Sequence, residues 1–341
     1  MSQEIIYTSA PAGLKPGSRG FCTVVATHGM VKSLADQLED LSGYRHLFLS
    51  GPEAATNPVV YSHLRVPVGG RTFHVLSRIA DAGLDYTQRT NKLAHHVALD
   101  PGELPPAGPA WLMSHPGWMA TSWSGAPQAR AKGPVVPAGN ATAAPCRAWQ
   151  RAAGDAGWAG VVAAELLGDS RRQIVVVYRP GQEMLPLVAE VLALLPAERR
   201  WSVTFSTFFT KLAPTIDCRW RCYVEGTPEA ESGLRHAGAL VLDLRQPLGK
   251  PDESPYVAAA RAGKKLSLPR LQARPAAEAE QVEQFLAADR KAREAKHAAA
   301  AEQKAVVVAV VQPIWEPEPV LANAPPLPAP PPARSSLLLV L

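Results

Sequence analysis

The chain has 341 residues, 47% of them hydrophobic, with a net charge of +5 and a pI near 9.1, which supplies a substantial core and length for one or two domains. Acidic residues are interleaved with the basic ones along most of the sequence, so it lacks the single-sign patch that a nucleic-acid binder needs, and no nucleic-acid partner is expected. Four cysteines, Cys22, Cys146, Cys218 and Cys222, are too few and too scattered for a disulfide framework, and without a recognisable secretory leader they are expected as free thiols in a cytoplasm.

In chain order, QEIIYTS reads as a strand, GLKPGSRG as a turn and FCTVVAT as a second strand, an N-terminal hairpin. The glycines of that turn lack the Lys and Ser/Thr of a phosphate-binding loop and lead into a strand instead of a helix, so nucleotide hydrolysis has no support. Val31, Leu34, Leu38 and Leu41 recur at three and four and predict a short helix with these four facing inward, ended by Gly43. VVYSHLRVPV and RTFHVLSRI flank Gly69-Gly70 and predict a tight hairpin.

Residues 81–100, DAGLDYTQRTNKLAHHVALD, carry the densest hydrogen-bonding chemistry in the chain and read as a loop followed by a short strand. Within them Tyr86, Arg89, Asn91 and His95 are candidates for ligand or partner contacts. Extended backbone would set Arg89 and Asn91 on one face as a fork of donors beside an amide, able to hold a carboxylate, a phosphate or the neighbouring backbone. His95 and His96 are adjacent, so on a strand they point to opposite faces and cannot both ligate one metal. The plainest reading places one imidazole half-buried in the core and the other at the surface.

Residues 101–145 are rich in Pro, Gly, Ala and Trp and should hold little regular structure. Trp111, Trp118 and Trp123 either tack this segment onto the core or form a partner patch. CRAWQRAAGDAGWAGVVAAELLGD reads as two helical pieces broken at Gly154, with Asp155 able to cap the second. RRQIVVVYRP, EMLPLVAEVLALLP and RRWSVTFSTFF follow as strand, helix and strand, a βαβ unit with parallel strands. IDCRWRCYVEG and GALVLDL add strands, and SPYVAAARAG a helix. Thr204, Ser206, Thr207 and Thr210 fall near the end of the FSTFF strand, where open α/β sheets tend to place ligands. Ser206 has no Gly-x-Ser-x-Gly elbow around it. Cys218 and Cys222 would share a face of the next strand, at a spacing that suits neither a zinc site nor a disulfide, so no metal is expected.

From 266 to 304 the composition is that of a charged, Ala-rich exposed helix with one short apolar stripe at Val282, Phe285 and Leu286, and 305–341 is a Pro-rich linker expected to be disordered. Neither AVVVAVV nor LLLVL approaches the roughly 20 residues of a bilayer crossing, though the chain ends like the start of an anchor. The fold class is thus α/β, mixed α+β: hairpins and helices first, then a βαβ-type layer, then the helix and tail. Residues 1–265 are expected as one α/β region or as two subdomains, 1–145 and 146–265.

Four blocks, MSQEIIYTSAPAGLKPGSRGFCTV, YSHLRVPVGGRTFHVLSRIADAGLDYTQRTNKLAHHVALD, WQRAAGDAGW and RRWSVTFSTFF, occur in this order, and together the chain resembles the bacterial GTPase-associated protein N-terminal domain, type 2, over residues 1–265. The resemblance implies a component of GTPase-centred conflict or immune-like systems in which the GTPase is a separate protein, acting in recognition or signalling without an established catalysis. It falls on Tyr7, Thr8, Gly20, Phe21, Arg89, Asn91, His95, Trp149, Gly157, Trp158, Thr204, Phe205 and Thr207. Tyr86, Arg89, Asn91, His95, Trp149, Trp158 and Thr207 are carried forward as ligand- or partner-binding candidates, with no catalytic residue and no cofactor assigned. The expected function is a non-enzymatic adaptor that binds a separate GTPase or another protein of the same system. Its rivals are an anion sensor or enzyme built on Arg89, Asn91 and His95, and a structural scaffold.

Overall fold

The first hairpin forms as its alternation dictates: β1 (Gln3–Ala10) pairs antiparallel with β2 (Gly20–Thr27). These elements come from a computed structural model, which describes residues 1–49, 51–168 and 172–267. The expected charged helix and Pro-rich tail lie outside the described residues. Helix α1 (Lys32–Asp40) buries Leu34 and Leu38 completely. Val31 does not share that face; it precedes the first turn in extended conformation and is 56% exposed.

Strands β3 (Val60–Val68) and β4 (Arg71–Leu84) meet at Gly69-Gly70, with φ of +57° and +77°, the two positive angles that a type I′ turn requires and side-chain-bearing residues resist. The polar stretch that follows is mostly strand. β4 continues to Leu84, a five-residue turn reverses the chain, and β5 (Thr90–Leu99) pairs back along β4 with a bulge between Asp81 and Leu84. The turn holds what the sequence marked as a loop, and the long ladder on either side accounts for the rest.

Residues 101–145 hold only α2 (Pro109–Met113) and β6 (Gln128–Arg130), apart from one short 3-10 turn. Trp118 is buried, and Trp111 and Trp123 are half-buried against the core. Helices α3 (Arg147–Ala153) and α4 (Gly157–Leu167) break at Gly154 in left-handed conformation, and Asp155 Oδ1 accepts the Gly157 N–H at 2.7 Å. Then come β7 (Ile174–Tyr178), α5 (Leu185–Leu194), α6 (Ala197–Arg200), β8 (Phe205–Ser206), β9 (Trp220–Val224), α7 (Pro228–Leu234), β10 (Leu240–Asp243) and α8 (Pro255–Ala262). The RRWSVTFSTFF strand is therefore cut to two residues, because Arg199 and Arg200 close α6, which brings Arg200 inward, and Trp201 and Ser202 form a turn before β8 begins.

Among the described residues all ten strands form one sheet in the order β10-β7-β9-β8-β3-β4-β5-β1-β2-β6. β10, β7, β9 and β8 run parallel, and β8 joins them antiparallel to β3. β7 and β8 are thus co-directional as a βαβ unit demands, with β9 inserted between them. The largest core packs the sheet against α2, α3, α4, α5 and α8, while α1 covers a second cluster around Ile5, Val66 and Val75.

Arg200 stitches the halves together. Although 1% exposed, its guanidinium donates to the carbonyls of Leu195, Pro106, Ala141 and Ala193 and to Asn140 Oδ1, at 2.8–3.1 Å. A side chain at Gly108 would start 2.9 Å from Arg200 Cβ, so the close approach requires glycine. Beside it Trp201 Nε1 donates to Pro105 O at 2.7 Å. The four cysteines are free and buried. Cys218 lies ahead of β9 and falls in a different core cluster from Cys222, so the two do not share a strand face.

Candidate functional site

The β4–β5 hairpin is held by three side chains that act on backbone. The buried carboxylate of Asp85 accepts from Thr87 N, Thr87 Oγ1 and Arg89 N at 2.6–3.0 Å and from Ser9 Oγ at 2.8 Å. Those bonds, the Thr87 hydroxyl foremost, hold its pKa far below the usual carboxylate range. They also fix a turn tight enough that Gln88 sits at φ +64°. Asn91 Oδ1 accepts from Ser9 N, Lys92 N and the Thr8 hydroxyl at 2.8–3.2 Å, which ties the start of β5 to the end of β1.

His95 and His96 are both interior, at 2% and 0% exposure, so neither imidazole is at the surface. They do point to opposite faces. The Ala120 N–H donates to His95 Nδ1 at 2.9 Å, which leaves the ring proton on Nε2, 2.8 Å from Glu4 Oε2. Arg130 Nη1 completes the cluster at 2.9 Å from Glu4 Oε1. Burial works to raise the Glu4 pKa, but the bonds from His95 and Arg130 outweigh it and hold the carboxyl below its ordinary value. On the other face His96 lies between Ser77 Oγ and Ser42 Oγ at 2.7 and 2.9 Å, and burial pushes its pKa down to about 3.

The cluster expected of Arg89, Asn91 and His95 does not assemble. Arg89 sits in the turn with a side chain 70% exposed, its Nε on Thr87 Oγ1. His95 is six residues further along the strand, roughly 20 Å at 3.3 Å per residue. The two share no partner.

The remaining candidates divide the same way. Trp149 is wholly buried, with Nε1 donating to Leu187 O at 2.9 Å. Thr207 Oγ1 takes the Tyr61 N–H at 2.7 Å and its carbonyl takes the Tyr178 hydroxyl at 2.8 Å, bridging β3 to β8 and β7. Thr204 Oγ1 accepts from Arg219 N, and Phe205 is core. Trp158 is half-buried, its Nε1 on Gly249 O.

The hairpin end does present a surface. Leu84 and Tyr86 are 57% and 49% exposed, and Phe21 is 47% exposed. Phe21 pairs in register with Ser9, whose hydroxyl reaches Asp85, so these side chains gather at one end of the sheet. Tyr7 stacks on Phe21 with centroids 6.3 Å apart, and Lys92 Nζ stands 5.8 Å and 5.0 Å from the two ring centroids. An exposed aromatic cluster flanked by Lys92 and Arg89 has the composition of interface hot spots.

A separate cavity of about 460 Å³ opens beside the carboxyl end of β7, between the 55–61 segment, the 113–121 segment and the 178–186 loop leading into α5. Arg78 of β4 lines it, as do Tyr61 and Tyr178. Nothing in the sequence joins these segments, and the one local signal is the strand end itself. Among the described residues no group of three or more His, Cys, Asp or Glu is placed to hold a metal ion, and no helix is long and apolar enough to cross a membrane.

Two family comparisons match the chain: residues 1–133 match GTPase-associated protein 1, N-terminal domain type 2, and residues 146–246 match GTPase-associated protein 1, middle domain. No curated protein and no solved structure matches.

Proposed function

Because the chain belongs to the GTPase-associated protein 1 family, carrying its type 2 N-terminal domain and its middle domain in succession, we propose that it is a non-enzymatic recognition component that binds a separate GTPase within a bacterial conflict or signalling system. The docking surface in this reading is the hairpin end, where Tyr86, Arg89, Leu84 and Phe21 are exposed and the half-buried Lys92 lies against Phe21. Asn91 and His95 serve it indirectly by fixing β5 to β1 and to Ala120, while Trp149 and Thr207 hold the sheet that carries it.

One observation carries the reading: Asn91 and His95 are spent on backbone and on Glu4, whereas Tyr86, Phe21 and the Arg89 side chain beside them are exposed. The test is co-purification of the chain from native cells with a GTPase, loaded with GTP or GDP, and titration of any pair recovered. Alanine at Tyr86 and Arg89 should each weaken the complex about tenfold or more, the range of aromatic and arginine hot spots. Recovery of no GTPase in either nucleotide state, or unchanged affinity in both variants, contradicts it.

A further inference from the structure

We infer that the cavity beside β7 is a binding site for a small organic anion, an apolar body with one terminal carboxylate or phosphate group, whose charged end pairs with Arg78. This site is distinct from the hairpin end and does not depend on GTPase binding. Its volume, about 460 Å³, lies within the ~300–1,000 Å³ of small-molecule pockets.

The direct observation is the state of Arg78. Its Nη1 makes one long hydrogen bond, 3.3 Å to Ala120 O, and its Nε is buried without a partner. Among the described residues no carboxylate stands within ion-pair distance of it. Arg200 shows how this fold satisfies an interior guanidinium, with five acceptors around one side chain. Arg78 has one, and the space it lines is empty of protein. A half-buried cation with unused donors costs free energy unless an acceptor arrives.

The walls narrow the ligand. Met113, Met119 and Met184 supply flexible apolar surface, which suits a hydrophobic body. Among the described residues Arg78 is the one Lys or Arg in the lining, and Glu183 is exposed, so a nucleoside di- or triphosphate would meet repulsion with a single cation to offset it. The first turn of α5 faces the same space and favours negative charge there. Because the lining comes from both family domains, residues 55–121 and 178–186, an occupant would also clamp the two together.

The test is calorimetric titration of the full chain with 1-naphthoate and 1-naphthyl phosphate, with the neutral 1-naphthalenemethanol alongside. At least one anion should bind saturably and about tenfold or more tighter than the alcohol, and which one does so separates carboxylate from phosphate. Arg78→Met should abolish that preference, Arg78→Lys should keep part of it, and Lys211→Ala, an exposed charge elsewhere, should leave it intact. No binding by either anion up to about 5 mM, equal affinity for anion and alcohol, or equal loss in Lys211→Ala would overturn the proposal. The anion-to-alcohol ratio in the unaltered chain decides the matter even where Arg78→Met fails to fold.

Discussion

At the β4–β5 hairpin Asp85, Asn91 and His95 take up the N–H groups of Thr87, Arg89, Ser9, Lys92 and Ala120, whereas at the cavity beside β7 Arg78 makes a single long bond and leaves Nε unmatched. Both regions are polar, and they differ in whether the polarity is already spent. A stretch dense in hydrogen-bonding side chains marks where a tight turn and a strand edge need partners. A ligand site is marked by groups whose partners are missing. The difference can be broken experimentally: groups that the fold has consumed should alter stability and leave binding by the folded fraction unchanged, while open groups should do the reverse.

The largest expected effect comes from acid. Burial holds His63 and His96 at about 3 and His74 at about 4, against an ordinary value of 6.5. The unfolded chain therefore takes up protons first, and the stability these neutral rings contribute is present above pH ~6.5 and declines toward pH 3–4. At about 1.4 kcal/mol per pH unit for each ring, the unfolding temperature should fall steeply between pH 6.5 and 4.5. A flat profile across that range contradicts the interior placement of all three.

Next in size is Arg200→Ala, which strands carbonyls from both halves and should cost about 3–5 kcal/mol. Because β8 is laddered to β3, amide exchange should rise in β3, β4 and β7 together; loss of protection in β7 alone would mean the halves are separable. Asn91→Ala leaves the Ser9 and Lys92 N–H groups without their acceptor and should cost about 2–3 kcal/mol in urea unfolding. Thr207→Val removes one bridge between β3 and β8 and should cost about 1 kcal/mol. Smallest are Tyr86→Ala and Arg89→Ala, expected within about 0.5 kcal/mol of the unaltered chain. A large destabilisation by either would place it among the consumed groups.

Much of the fold could be read from local pattern. The Gly69-Gly70 hairpin, the uninterrupted apolar run of β7, the broken α3–α4 pair and the Ser254 start of α8 each rest on a signal contained in one stretch. What escaped was set by partners distant in sequence. β8 shrinks to Phe205–Ser206 because Arg200 must turn inward to carbonyls as far away as Pro106. Thr227-Pro228 is an exception, a start signal for α7 contained in the sequence itself, with a capping hydroxyl followed by proline at the first turn. The hairpin end was legible as an important stretch, but its division into Asp85 and Asn91 inside and Tyr86 and Arg89 outside depends on Ser9, over seventy-five residues upstream of Asp85. The cavity had no local signature beyond the end of β7, since Arg78 lies mid-strand and the other walls come from three separate segments, 55–61, 113–121 and 178–186.

The most direct measurement is a titration of the full chain, unaltered and as the Tyr86→Ala/Arg89→Ala double variant, against the GTPase proposed as its partner, in GTP-loaded and GDP-loaded states. The expected result is saturable binding that differs between nucleotide states and drops by about a hundredfold in a double variant whose unfolding temperature is unchanged. Binding of equal strength by the double variant, or none by the unaltered chain in either state, contradicts the claim that this end of the sheet is a recognition surface.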